Sequence, residues 1–567
     1  MTRSTSSRLI VGAALRSPGW FALFVLASVT VNVIAVVVPS ALAEVINAVF
    51  LGSGEGATVL RFGVLVAVAV LAQVLIVLSA TGCCVAGTLW IRRRLVDHVL
   101  ALPVRAASRF PTGELTTRLN ADAASAGQLL VCLTGSVLAA TTALAALVVL
   151  FGMSPWFGAV FALGVTPMIL LAKRFLSCST GLHLRYQQGL AALATLLHDA
   201  LRGVRTIRAA GTADREVHRV LGPLPELAAA GDALWQVQRN MVWRAMLLVP
   251  LTELVVLAMA GFEVTNGRLT AAELLAVSGY LMLALGLFGQ IDGLLGLAAD
   301  RAGVQRVAEV LGTAPQRVTA VPRPLPDGTG ALSFRAVTVV DGGHLLLDRV
   351  SLEVPGGASL ALVGRSGAGK STLAALVGRL VEPDQGTVLL DGVPLGELDP
   401  AELRAQVGYA FERPVLFGAT VAEAIAPGTG SRRSLLVAAA TAADADTFIQ
   451  RLPGGYDTAL ADIQLSAGEM QRLGLARAIA GHPRVLVLDD ATSSLDTVTE
   501  AHIARALATG FAGRTRLLVA HRAATAARAD LVAWLDDGRI RAVGPHVELW
   551  PDPRYRAVFG PESLEQW

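Results

Sequence analysis

ASLALVGRSGAGKST, Ala358 to Thr372, runs from an apolar strand through a glycine turn into the helical stretch LAALVGRL. Gly364 to Ser371 fit the spacing G-x-x-x-x-G-K-[ST]. In that spacing glycines let backbone N–H groups wrap a phosphate chain, the lysine neutralises its outer oxygens, and the hydroxyl reaches a magnesium ion. Gly364, Arg365, Ser366, Gly367, Ala368, Gly369, Lys370, Ser371 and Thr372 are therefore the candidate nucleotide-binding residues. A mere glycine-rich turn would not need a strand before it, a helix behind it and a lysine in register. Lys370 is one of only two lysines in the chain, the other being Lys173; every other long basic side chain is arginine.

Three further stretches extend the pattern. RVLVLDD is an apolar strand ending in Asp489 and Asp490, and the first of these is the expected carboxylate for Mg²⁺. LSAGEMQRLGLARA begins just upstream at Leu465, and LLVAHR puts His521 at the end of another apolar strand. Each stretch alone is weak, since a histidine closing a strand is more often structural. Their order and spacing make the set specific, and the glycine loop makes ATP or GTP the expected ligand.

The first half of the chain has a different grammar. Over 567 residues the composition is 53% apolar with a mean hydropathy of +0.58, too long for one compact domain and too apolar for an ordinary soluble one. The formal charge of +3 is small, and no polybasic run or interleaved aromatic stripe points to nucleic acid. Long apolar runs fall near 20–50, 61–86, 128–152, 156–176, 241–263 and 272–295, each long enough to cross a hydrocarbon layer of about 30 Å as a helix. The first run far exceeds the apolar core of a signal peptide, so it is expected to stay as a membrane helix although SALA, Ser40 to Ala43, looks like a cleavage site.

Arginines set the expected orientation. They gather before the first run, between the second and third (Arg92 to Arg118) and between the fourth and fifth (Arg174 to Arg208), while GSGEGAT, GMSPWFG and EVTNGRLT are short and nearly uncharged. The positive-inside rule then puts both termini and two long loops in the cytoplasm of a cell bounded by this membrane. Polar groups within the runs are costly and are candidates for function: Asn32, Asn47, Gln73, Glu253, Gln290 and Asp292. Cys83, Cys84, Cys132 and Cys178 lack metal-ligand spacing and read as small buried apolar residues. After Leu311, TAPQRVTAVPRPLPDGTG reads as a linker, so the expected organisation is a helical membrane domain over 1–310, a linker over 311–330 and an α/β P-loop NTPase domain over 331–567.

With these residues assembled, the chain resembles an ATP-binding cassette (ABC) exporter half-transporter: six membrane helices followed by one nucleotide-binding domain. The likeness takes in RFPTGELTTRLNADA, GTVLLDGVPL, RPVLFGATVAEAI, LSAGE, SSLD and DGRIRAVGPHVEL, and covers nearly the whole chain. It implies that two nucleotide domains sandwich two ATP molecules, so a second half-transporter is required. It also implies that Ser466, Gly468 and Glu469 reach the partner's nucleotide, that Asp490 and His521 face the attacking water and γ-phosphate, and that Ser371, Asp489 and Glu412 serve Mg²⁺. Coupling helices are implied near Arg105 to Arg118 and Arg202 to Arg215.

The chain departs from that family at several of these positions. Asp490 stands where the family has its catalytic glutamate, and a carboxylate one methylene shorter is expected to hydrolyse ATP weakly, because base catalysis contributes about 10² to 10⁴ in rate. Glu412 replaces the Q-loop glutamine and adds negative charge beside the γ-phosphate. Val339, Val340, Asp341 and His344 occupy the region where an aromatic usually stacks on adenine, and the signature has Ala467 for glycine and Glu469 for glutamine. These departures favour a heterodimer with one degenerate site, while a homodimer with two slow sites stays open.

No cysteine-protease pattern precedes the first helix, so leader trimming is not expected of this chain. The stretch GGYDTALADIQLSAGEMQRLGLARA is similar to actinobacterial exporters found with ribosomally made peptides of the lanthipeptide type. Lipid, siderophore and drug export remain alternatives, as does a nucleotide-binding regulatory or scaffold subunit that does not transport.

Overall fold

The computed structural model describes residues 9–13, 16–51, 55–286, 291–316, 321–427 and 432–560. The chain divides into two compact units, one formed by Met1–Leu100 and Phe110–Ala314, the other by Ala101–Arg109 and Pro315–Trp567.

The first unit is helical: α1 (Pro18–Leu51), α2 (Glu55–Leu100), α3 (Ala123–Met153), α4 (Pro155–Arg202), α5 (Leu224–Thr265), α6 (Ala271–Leu285) and α7 (Ile291–Gly312). Among the described residues, five helical stretches are long and apolar enough to cross a membrane. The sixth expected span, 272–295, begins on α6 and continues through 287–290, which lie outside the described residues together with Gln290; nothing is described of the Asp292 side chain either. α2 and α4 have 46 and 48 residues, about 70 Å at about 1.5 Å per residue, so both continue well past the hydrocarbon layer.

Burial in this unit is inverted relative to a soluble protein. Small and branched residues such as Ala146, Val256, Ala260 and Val277 fill the contacts between helices, whereas Leu71, Leu78, Leu144 and Leu163 point outward and are more than half exposed. Apolar side chains on the outside are stable when the surroundings are lipid tails. The cysteines divide in the same way. Cys83 is buried, but Cys132 and Cys178 are exposed, so the expectation of four buried residues fails where an apolar helix face has no protein against it.

Two polar features are built into the helices. Asn32 accepts a hydrogen bond from Thr142 Oγ1, tying α1 to α3, so its polarity is spent on packing. Ahead of α3 the backbone widens into a π-helical turn, Arg118–Asp122, which buries both end residues. Arg118 pairs with Glu114 and with Glu309 at 3.0 Å, and Arg306 of α7 donates to Asp122 at 2.8 and 2.5 Å. Glu253 is half-buried on α5 and Gln73 is exposed on α2.

The second unit carries β1 (Leu332–Asp341), β2 (His344–Val354), β3 (Ser359–Val363), α8 (Lys370–Leu376), β4 (Gln385–Leu390), β5 (Val393–Pro394), β6 (Val407–Phe411), α9 (Ala467–Ala480), β7 (Val485–Asp489), α10 (Thr497–Gly510), β8 (Thr515–Val519), β9 (Leu531–Asp536) and β10 (Arg539–Gly544). A four-stranded antiparallel sheet has the order β2-β1-β4-β5, and a six-stranded sheet has the order β10-β9-β3-β8-β7-β6. In the larger sheet β9, β3, β8, β7 and β6 are parallel. β3, SLALV, is buried at every position, as a central parallel strand covered on both faces must be.

The segment Ala101–Arg109 belongs to this unit although its sequence lies between two membrane helices. It forms a one-turn helix, Val104–Ala107, and Arg105 donates to Val340 O at 3.2 Å.

Candidate nucleotide site

Open parallel sheets bind ligands beyond the carboxyl ends of their strands. Here the register brings the chemistry to that edge. β3 runs out at Val363 into the glycine loop; on β7, Asp489 pairs across to Val519 of β8 and to Phe411 of β6. Glu412, Asp490 and His521 lie one or two residues beyond those positions, so three strands deliver them to one line.

The loop itself requires glycine. Gly367 and Gly369 adopt φ of +82° and +98°, and a Cβ at Gly369 would sit 2.7 Å from Leu346 O. A Cβ at Gly364 would meet Leu535 O at 2.3 Å. Arg365, Ser366 and Gly367 are exposed at the turn, Ala368 is buried beneath it, and Thr372 is half-buried on the helix behind. Lys370 is only 6% exposed and donates to Gly364 O at 2.8 Å and Arg365 O at 3.0 Å, curling its ammonium over the loop. Burial pushes the Lys370 pKa down, while Asp490 and Asp489 oppose that shift. A buried cation held by carbonyls above a glycine cradle fits a polyphosphate, which would take over those contacts.

Ser371 Oγ donates to Asp489 Oδ1 at 2.9 Å. Burial holds the Asp489 carboxyl above its ordinary value, and Asp490 and Glu412 add to that shift against the Ser371 hydrogen bond and His521. Accumulated carboxylate charge beside a solvent-accessible hydroxyl fits a hard divalent cation. Among the described residues no three acidic, histidine or cysteine groups form a metal cage by themselves.

Asp490 Oδ2 lies 3.1 Å from His521 Nε2, joining two residues 31 positions apart. Glu412 is exposed, its carboxylate 3.8 Å from the Arg413 guanidinium. Val340 and Leu345 pair across β1 and β2 near the Asp341–His344 turn, both with exposed aliphatic side chains, while Val339 is fully buried.

Ser466, Gly468 and Glu469 gather elsewhere, at the N-terminus of α9. Ser466 Oγ accepts from Glu469 N, and the Glu469 carboxylate accepts from Ser466 N at 2.8 Å, a reciprocal capping box. Those bonds keep the Glu469 pKa below the usual range. Among the described residues no hydrogen bond joins this group to the P-loop.

One residue of this machinery escaped the sequence reading. Gln471 is 2% exposed; its Nε2 donates to Glu412 O at 2.8 Å and Ser493 Oγ at 2.9 Å, and its Oε1 accepts from Ser494 N at 3.0 Å. It ties the loop after β6 to the loop after β7. Only an amide amid the buried face of α9 could have signalled it.

Residues 347–493 match the family described as ABC transporter, and residues 21–288 match the ABC transporter transmembrane region. The chain is 44% identical over 471 residues to the ABC transporter ATP-binding protein RamA of Streptomyces coelicolor, covering 83% of this chain and 74% of that protein. It is 31% identical over 476 residues to the ATP-dependent lipid A-core flippase of Chromobacterium violaceum, covering 81% and 80%. A solved bacterial Atm1-family ABC exporter with ATP bound superposes with a TM-score of 0.81 at 26% identity, covering 97% of this chain and 99% of that one. The chain therefore belongs to the ABC exporters, as a half-transporter that joins a membrane-spanning helical domain to an ATPase domain.

Proposed function

We propose that this half-transporter has a slow ATP site of its own and works with a second half-transporter, a heterodimer being favoured over a homodimer. The observation that carries this reading is Asp490: a short carboxylate at the end of β7, paired with His521 at 3.1 Å, in the position where reach toward an attacking water matters most. Lys370 holds phosphate, Ser371 and Asp489 hold Mg²⁺ with Glu412 at the margin, and His521 orients the reacting end. Bound Mg²⁺ would supply charge neutralisation at the phosphates. Ser466, Gly468 and Glu469, capped away from their own P-loop, are free to complete the partner's site. Closure of the nucleotide domains on ATP turns the membrane helices outward, and hydrolysis resets them. The segments carrying Arg105 and Arg202 to Arg215 pass that motion on.

Arginine distribution supports cytoplasmic termini in the plasma membrane. The cargo we favour is a peptide, on the likeness of the Gly454–Ala478 stretch to peptide exporters. The test is Mg-ATPase activity of the purified chain, alone and as Asp490→Glu, beside ATP-driven uptake into inverted vesicles. Weak activity raised at least tenfold by the longer carboxylate is expected, since a general base supplies about 10² to 10⁴. Robust activity of the unaltered chain overturns the slow site, and ATP binding without flux in the paired complex overturns export in favour of a regulatory subunit.

A further inference from the structure

α4 and α5 run side by side, and glycines mark where they touch. A Cβ at Gly164 would lie 2.5 Å from Thr252 Oγ1; further along, Gly189 meets Leu227 and Gly231 meets Tyr186 at 3.3 and 3.4 Å. Between these close approaches the pair opens into a cleft of about 500 Å³. It begins at Pro167, which has no N–H to give to the helix ladder of α4. Pro167, Leu170 and Arg174 form one helical stripe along α4; Trp243, Arg244 and Leu247 form the facing stripe on α5.

The two ends of this cleft differ in chemistry. Proline and leucines line one end; two guanidiniums and an indole stand at the other, with Arg244 lying over the Trp243 ring at 5.5 Å. Among the described residues neither Arg174 nor Arg244 has an ion-pair partner. Their depth follows from helix geometry. Arg174 lies 19 residues after the start of α4 at Pro155, and Arg244 lies 21 residues before the end of α5 at Thr265. At about 1.5 Å per residue both stand about 30 Å from the same short-loop side, one hydrocarbon thickness away. The leucines then lie within the hydrocarbon and the arginines at its edge.

We propose that this cleft holds an anionic phospholipid, its phosphate between Arg174 and Arg244 and the upper part of one acyl chain against Leu170 and Leu247. The volume suits a lipid headgroup region, and unpaired cations at the headgroup level attract anionic lipid. Trp243, amphipathic and at the same level, closes the headgroup end. The inference goes beyond the proposed transport cycle and needs only that α4 and α5 span a bilayer; it is indifferent to cargo and to the rate at Asp490.

The test uses the purified full-length chain in mixed phosphatidylglycerol and phosphatidylcholine micelles, with retained lipid identified by mass spectrometry. Phosphatidylglycerol is expected to be retained preferentially, and the double variant Arg174→Gln, Arg244→Gln to lose about tenfold of that retention. Arg174→Lys with Arg244→Lys keeps the charge and is expected to keep the lipid, while Leu247→Trp keeps the charge, fills the cleft and is expected to expel it. Brominated phosphatidylglycerol should quench tryptophan fluorescence more than brominated phosphatidylcholine, a difference lost in Trp243→Phe. Equal retention of both lipids, unchanged retention in the glutamine variant, or displacement by millimolar inorganic phosphate overturns the proposal. Loss of a protein dimer in the glutamine variant with lipid retention unaltered would assign the cleft to a partner helix instead.

Discussion

Asp490 adopts φ of +52°, a left-handed backbone that short polar side chains tolerate better than longer ones. Its length therefore has two effects, one on reach and one on backbone strain. Asp490→Glu is expected to gain hydrolysis and to lose stability by about 1 kcal/mol, read as a lowered melting temperature of the variant without nucleotide. A faster and more stable variant would mean that the backbone relaxes around residue 490. His521 bears on the same carboxylate from just beyond the end of β8. His521→Ala is expected to leave ATP binding within a factor of about three and to cut single-turnover cleavage by at least about tenfold, the scale of a lost proton-handling or orienting group. Parallel loss of binding would make His521 a structural support of the loop.

The elements that hold these residues were legible to different degrees. The strand, loop and helix around Lys370 could be read because each position answers to a local demand: burial for Ala361, positive φ for Gly369, cationic reach for Lys370. Long apolar runs revealed α1 to α5 by length, and the helix-compatible loops between them pointed to helices that continue past the lipid, but with no change of period at the lipid boundary the residue at which each helix stops could not be read. Gln471 stayed hidden since its three partners come from loops far apart in sequence, which only the register of β6 against β7 brings together. One face of α9 holds the loop after β6 as a unit: Gln471 bonds Glu412 O, a Cβ at Gly474 would meet Pro414 at 2.6 Å, and Arg477 donates to Val415 O at 2.8 Å. Gln471→Leu strands buried groups at both loops, so it is expected to cost about 1 to 3 kcal/mol and to lower kcat more than it raises KM. The segment after β10 shows a second such element. His546, 4% exposed, shares a 2.8 Å hydrogen bond with Tyr555 OH and stacks near Trp550 and Phe559. Burial holds its imidazole pKa below the ordinary value, so the neutral form is the folded one. Its contribution is present above the unfolded-state value of about 6.5 and is lost as pH falls through the lower folded-state value. The melting temperature is expected to drop between about pH 7 and pH 5.5 in the parent and to drop less in His546→Phe.

On the function proposed above, the described residues contain both halves of an ATP site without joining them. Lys370 and Ser371 sit at the carboxyl edge of the sheet, and Ser466 caps α9 with its hydroxyl committed to Glu469 and to no group of the P-loop. On that proposal a second nucleotide domain brings the halves together, and the two ways of supplying it predict opposite behaviour for a pair of substitutions. In a homodimer each site needs one Lys370 and one Ser466, so Lys370→Ala and Ser466→Arg both silence turnover, and an equal mixture of the two single variants regains about a quarter of it from dimers with one intact site. In the heterodimer proposed here the faster site is built from the partner's P-loop and this chain's Ser466. Lys370→Ala then leaves most turnover of the purified complex in place, whereas Ser466→Arg lowers it by at least about 10²-fold through a bulky cation where a nucleotide must dock. Steady-state ATPase measured on the assembled complex separates these cases, because the asymmetry between two substitutions in one chain does not depend on the cargo carried. Equal loss from both would return the protein to a homodimer and make Asp490 a working base, reached by a shift of β7 when the two domains close.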